Sequence, residues 1–167
     1  HGVPFRYPSG PDIGPGLTEA GERLVKRCNE LGILIDLSHM NEAGFRDVAR
    51  LSTAPLVATH SNAHAICPHA RNLTDEQLRI IADSDGMVGL NFATAFLRPD
   101  GRMIPDVAFG TMLRHLDHLI GILGETRVGL GSDYDGAVMP EALATAAGLP
   151  ALRNACLLYT SDAADDD

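Results

Sequence analysis

The chain has 167 residues, of which 45% are hydrophobic and 21% charged, and it carries a formal net charge of -9. These proportions suit one soluble domain or a piece of one and exclude a chain that is mostly disordered. The acidic balance repels a phosphate backbone, which sets nucleic acid aside as a partner, and no apolar run approaches the roughly 18 residues that a membrane span needs.

The opening "HGVPFRYPSGPDIGPG" is dense in Pro and Gly, has no period, and reads as a loop. In "LTEAGERLVKRCNELG" a helix is expected: Thr18 can cap it, Leu24, Val25, Cys28 and Leu31 fall at helical spacing, and Gly32 stops it. Residues Ile33 to Leu37 then form a short branched apolar run, the pattern of a strand covered on both faces, and His39 lies just past its end. The unit returns. "NEAGFRDVARLS" is a helix with Asn41 as cap, Pro55 leads into the strand "LVATH", and His60 closes it. Thr74 and Gln77 make a capping-box pattern for "TDEQLRIIADS", and "GMVGLNF" supplies a third strand. A long helix is expected from about Pro105 to Leu123, with Met112, Leu113, Leu116, Leu119, Ile120 and Leu123 as its apolar stripe. "RVGLGSDYDG" is the fourth strand and its exit.

Strands that alternate with helices argue for parallel βα units, because a parallel pair needs a crossover connection. The polar residues His39, His60, Asn62, Asp133 and Asp135 all follow apolar runs at their carboxyl ends. That clustering favours an α/β fold of the (β/α)8 TIM-barrel kind over a doubly wound sheet, since a barrel assembles its site from strand ends on one face. A whole barrel takes about 250 residues, so a partial barrel of about four βα units is expected. The three cysteines, Cys28, Cys67 and Cys156, have no CxxC spacing and suggest neither a disulfide framework nor a zinc knuckle. A reducing compartment is the expectation.

Two histidines at the ends of adjacent parallel strands can point into one cup and share a divalent metal; zinc accepts neutral imidazole, and a catalytic site leaves a position open for water. His39 and His60 are that pair, although either could also be a hydrogen-bonded core residue. Asp133 in "GSDYDG" ends the fourth strand and is the candidate acid-base group, able to take a proton from the attacking water and deliver it to a leaving amine. The same stretch also suits an Asx turn in which Gly136 supplies an unusual dihedral. Arg71 in "HARNLTD" either holds a substrate carboxylate bidentately or sits on the surface tied to Asp75. His115 and His118 in "LRHLDHLIG" lie inside a helix, far from any strand exit, and are expected on the surface. His64 and His69 suit outer support of the site or plain solvation, and nothing in the sequence orients Cys67 against them as a nucleophile.

The blocks "GLTEAGERLVKRCNELGILIDLSH", "PLVATHSNAHAICPHARNLTD", "GMVGLNF" and "VGLGSDYDG", in this order, resemble the membrane dipeptidase (renal dipeptidase) family of zinc peptidases, including its bacterial members. The resemblance implies a (β/α)8 barrel carrying two Zn2+ ions bridged by a carboxylate and hydrolysing dipeptides. By that resemblance His39 and His60 match the pair that binds one zinc, Arg71 matches the arginine that grips the terminal carboxylate, and Asp133 the acid that shuttles the proton. The family's His-x-Asp pair for the other zinc and its bridging Glu come from strands that would precede His1, so this chain is expected to be the carboxyl-terminal part of a barrel and inactive alone. His1 is not matched to the family's substrate-binding His. A homodimer of the whole protein and, for a bacterial-type member, a cytoplasmic location are further expectations. Another metal-dependent hydrolase of the same barrel class, a phosphodiesterase or deacetylase, is the alternative activity, and a metal-free binding piece the alternative of another class; Arg71 discriminates, because a peptide carboxylate needs it.

The resemblance covers roughly His1 to Ala155. The stretch "CLLYTSDAADD" looks like the translated sequence of a sequencing adapter, so residues 156–167 are expected to be a non-native tail, with residues 1–155 as the dipeptidase portion.

Overall fold

The computed structural model describes residues 14–164, so most of the expected opening loop lies outside the described residues. Helix α1 (Glu19–Leu31) starts where the Thr18 side chain accepts the Gly21 N–H and ends at Gly32, whose φ of 66° puts it in the left-handed region. There the Gly32 and Ile33 N–H groups donate back to the Asn29 and Cys28 carbonyls, which satisfies the last turn. Helix α2 (Glu42–Leu51) is capped by Asn41, whose Oδ1 accepts the Gly44 N–H at 3.0 Å. Helix α3 (Asp75–Asp83) carries the expected capping box, with the Thr74 hydroxyl and the Gln77 amide each taking the other's backbone N–H.

Between these helices run strands β1 (Val57–Ala58), β2 (Met87–Leu90) and β3 (Val128–Leu130), in the spatial order β1-β2-β3 and all parallel. A parallel bridge from Asp36 to Val57 sets the segment before His39 beside β1. The architecture is therefore a mixed α/β fold around a parallel sheet in chain order. The expected strand Ile33 to Leu37 shrinks to that single bridge, and instead of being covered on both faces Ile33 and Leu34 are 54% and 59% exposed. Its far side has no pairing partner among the described residues, so only the inward residues gain from burial.

Beyond β2 come a short helix α4 (Thr94–Leu97), a loop, and helix α5 (Phe109–Leu123). Residues 105–108, expected to begin α5, lie outside it; the Pro105 carbonyl accepts the Glu141 N–H, and Ala108 is the cap. The buried face of α5 is Met112, Leu113, His115, Leu119 and Leu123, which corrects the expected stripe in two places: His115 is fully buried, while Ile120 is partly exposed. Helix α6 (Leu149–Ala164) follows two 3-10 turns and continues through residue 155 without a break. Leu152 is buried, and Cys156 packs at the edge of the core.

The apolar core joins Val25, Phe45 and Val48 under the first two helices to Leu78, Ile81, Val88, Leu90, Phe92, Met112 and Leu119, with each fully buried large side chain contributing about 1.5–3 kcal/mol. Two glycines bring the strand ends together: a Cβ at Gly89 or Gly131 would stand 2.0 or 1.8 Å from the Thr59 carbonyl oxygen. Among the described residues no helix is long and apolar enough to cross a membrane.

Candidate metal centre

The carboxyl ends of the strands form a polar cup. His39 leaves its segment with a φ of 69°, and Asp133 leaves β3 with a φ of 68°, both in the left-handed region, which costs a residue with a Cβ on the order of 1–2 kcal/mol. Such strain persists where the surroundings over-determine it, and it collects at functional sites. Asp135 shares the conformation at 64°. Gly136, expected to supply the unusual dihedral of this turn, has no positive φ; its role is space, because a Cβ there would meet Asp133 Oδ1 at 2.5 Å.

His39 Nε2 and His60 Nε2 stand 3.1 Å apart, with the ring planes tilted by 59°. Two nitrogens that each bind a tetrahedral cation at ~2.05 Å are separated by about 3.3 Å, so the pair already holds a spacing that suits a shared ion. Burial, reinforced by the neighbouring Arg71 and His60, pushes the His39 pKa down to about 4 against the pull of Asp133 and Asp36, so at neutral pH its imidazole is uncharged, as metal binding requires. Among the described residues no set of three His, Cys, Asp or Glu side chains is arranged to hold a metal.

Behind His60 stands a group that the sequence reading missed. Asp36 Oδ1 accepts the backbone N–H groups of Ser38 at 3.0 Å and Thr59 at 2.9 Å, and Oδ2 accepts the Thr59 hydroxyl. Burial works to raise the Asp36 carboxyl, but these hydrogen bonds outweigh it and hold its pKa below the ordinary value. Thr59 Oγ lies 2.7 Å from His60 Nδ1, and Ser38 Oγ accepts the His60 N–H. The available signal was a charged residue interrupting an apolar run, "ILIDL".

Asp133 Oδ2 accepts from Asn91 Nδ2 at 3.1 Å, and the same amide reaches the His60 carbonyl at 3.4 Å. Asn91 is in turn held by Asn62, which accepts the Asn91 N–H and donates to its carbonyl. Asn62 figured in the sequence only as one of several polar residues at strand ends, and Asn91 not at all.

Arg71 is 6% exposed, which corrects the reading of a surface arginine tied to Asp75. Asp75 instead accepts from His118 Nε2 at 2.8 Å. Arg71 lies over the Phe96 ring, 5.1 Å from its centroid, and donates to the His60 carbonyl at 3.3 Å, while its buried Nε has no partner. Burial lowers its pKa to about 10, opposed by the negative charges of Asp133 and Asp36. The cup therefore joins two imidazoles, the Asp133 side chain and a desolvated guanidinium short of acceptors.

The remaining candidates lie apart from this chemistry. The buried Cys67 Sγ points at the Ala95 carbonyl, and burial pushes its thiol up to about 11, which leaves it protonated. His69 Nδ1 accepts the Arg71 N–H and its ring packs on Phe96, so it braces the arginine's loop. His115, expected on the surface, accepts the Ala63 N–H at Nδ1 and donates from Nε2 to the Leu97 carbonyl.

A solved metallo peptidase from Rhodobacter sphaeroides, liganded with a phosphinate mimic of the dipeptide L-Ala-D-Ala, shares this fold with a TM-score of 0.88 and 64% identity, over 95% of this chain and 45% of its own. The crystal structure of dipeptidase AC, a metallo peptidase of family M19, matches with the same TM-score and identity over 95% of this chain and 46% of its own. A Klebsiella pneumoniae protein, described as an uncharacterized protein in the pqqA 5′ region, is 58% identical over 153 residues, or 92% of this chain and 56% of its own length. The chain spans about half the length of these relatives. The family model for membrane dipeptidase, peptidase family M19, matches residues 9–163. With that match running nearly end to end, the chain belongs to the membrane dipeptidase family.

Proposed function

We propose that the whole protein is a zinc-dependent dipeptidase built on a (β/α)8 barrel, and that residues 1–155 supply one part of its site and do not turn over substrate alone. The observation that carries this reading is the 3.1 Å approach of His39 Nε2 and His60 Nε2 beside a buried arginine with an unpartnered nitrogen. In it His39 and His60 are the two nitrogen ligands of one zinc, the other ligands coming from residues outside the described ones. When bound, such a cation polarises a peptide carbonyl and makes a water more acidic. Arg71 holds the terminal carboxylate of the substrate, and its position fixes how far the scissile bond lies from that end, which selects dipeptides over longer peptides. Asp133, steadied by Asn91, accepts the proton of the attacking water and passes it to the leaving amine. The tail from Cys156 onward has no part in this chemistry.

The test is metal analysis of the full-length protein with dipeptide and phosphoester substrates assayed side by side. Dipeptide hydrolysis together with bound zinc is expected, and His39→Ala and His60→Ala should each lose one zinc per protein and at least about 100-fold in kcat/KM. Unchanged metal content in both variants, or turnover of the phosphoester alone, overturns the assignment.

A further inference from the structure

Thr59 stands between a carboxylate and an imidazole, and proton counting decides what it does there. Asp36 accepts three donors: the Ser38 N–H, the Thr59 N–H and the Thr59 hydroxyl. A hydroxyl has one proton, and here it is committed to Asp36 Oδ2. Towards His60 Nδ1, 2.7 Å away, the Thr59 oxygen can therefore only accept, so Nδ1 carries the ring proton. In the neutral ring Nε2 is then left with the lone pair, and that nitrogen is the one facing His39. Asp36 does not make this contact itself, since its Oδ2 lies 3.7 Å from His60 Nδ1.

We propose that Asp36 and Thr59 form a positioning relay that holds His60 in the Nδ1–H tautomer, with its ring turned so that Nε2 presents a lone pair to the metal. The inference deepens the proposed function and rests on His60 being a ligand. A metal-bound histidine gains basicity and a fixed orientation from an acceptor on its other nitrogen, and loss of such an acceptor costs about 10- to 100-fold in metal affinity. The relay also uses the fold economically. The bridge between Asp36 and Val57 and the Ser38 hydroxyl on the His60 N–H lock the two strand ends in register, so the carboxylate, hydroxyl and ring are built on backbone that cannot slide.

The experiment uses the full-length protein and the variants Thr59→Val, which keeps the branched shape and removes the hydroxyl, and Thr59→Ser, which restores it. Zn2+ affinity is measured by competition with a chelator, and the ring nitrogens of His60 are followed by 15N NMR on histidine-labelled metal-free protein. Thr59→Val is expected to bind Zn2+ 10- to 100-fold more weakly and to lose the single-tautomer signature, while Thr59→Ser stays within about 3-fold of the parent. Parental Zn2+ affinity in Thr59→Val, equal weakening in both variants, or an Nε2–H tautomer in the parent overturns the relay. His60→Ala separates the two levels: if it loses one zinc while Thr59→Val binds normally, the relay alone fails, and if it keeps all its zinc, the ligand assignment beneath it fails.

Discussion

Arg71 is buried without a carboxylate in ion-pair range among the described residues, so its direct contacts are the Phe96 face and a backbone carbonyl, with Asp133 and Asp36 acting only from a distance. A cation kept in that condition lowers its cost when an anion arrives, and a substrate carboxylate would be that anion. Under the proposed function, Arg71→Met in the full-length protein should lower kcat/KM for a dipeptide by about 10- to 100-fold, mainly through KM, because charge-assisted hydrogen bonds are worth about 1.5–3 kcal/mol. Steady-state kinetics with a dipeptide and its carboxyl-terminal amide check this: the amide should be a poor substrate for both enzymes, and an amide turned over as well as the free acid would refute the role. The two histidines were legible in the sequence because each follows an apolar run that ends at a strand exit. Arg71 was only half legible, since its choice between a surface acid and the cup depended on His118 claiming Asp75 from 43 residues away. Asp36 left only the faint signal of a charge inside an apolar run, and Thr59 and Asn91 left none, for each acts across a strand pair whose register no single segment encodes.

Helix α5 shows how a pattern can be right in period and wrong in phase. An apolar stripe placed Ile120 inside and His115 outside, but the helix is turned so that His115 fills a core position and ties α5 to the Leu97 carbonyl at the end of α4 and to the Ala63 N–H in the loop after His60. Hydropathy alone misses this, because the burial is repaid by two hydrogen bonds whose partners are distant in the chain. With Nδ1 accepting from Ala63, a second ring proton would face a donor, and burial pushes the His115 pKa from 6.5 down to about 4. Between those values the unfolded chain binds more protons than the folded one, so stability should be level above about pH 6.5 and fall as the pH drops towards 4. The loss attributable to this residue is about 2–4 kcal/mol. Urea melts of the parent and of His115→Gln at pH 7.5 and 4.5 test it: the parent should lose more stability than the variant over that interval, and equal losses would show that His115 is not the titrating group. The strand before His39 fell short of its expectation for a related reason, as branched apolar residues form a strand only where a neighbouring chain takes up their hydrogen bonds.

At the scale of the whole molecule, the parallel order from the Asp36 bridge through β1 and β2 to β3 is what the alternating pattern foretold. The outer side of the Asp36 segment presents Ile33 and Leu34, with Leu31 beside them, and on the opposite edge Leu130 is also exposed. Open parallel edges flanked by apolar side chains favour association. The 167-residue chain produced alone should therefore self-associate at micromolar concentration, and Leu34→Lys should reduce this; sedimentation velocity checks it, and a monodisperse, cooperatively melting parent chain would contradict it. The cup has a different relation to the fold. Its contacts join residues 21, 23 and 42 positions apart, between His39 and His60, Asp36 and Thr59, and Asn91 and Asp133, so it exists only once the crossovers have been made. The apolar interior, meanwhile, is secured by packing that owes nothing to either imidazole. Under the proposed zinc assignment, loading with the cation would follow folding, and scarcity of the ion would leave cells with an intact but idle protein, ready to be charged later.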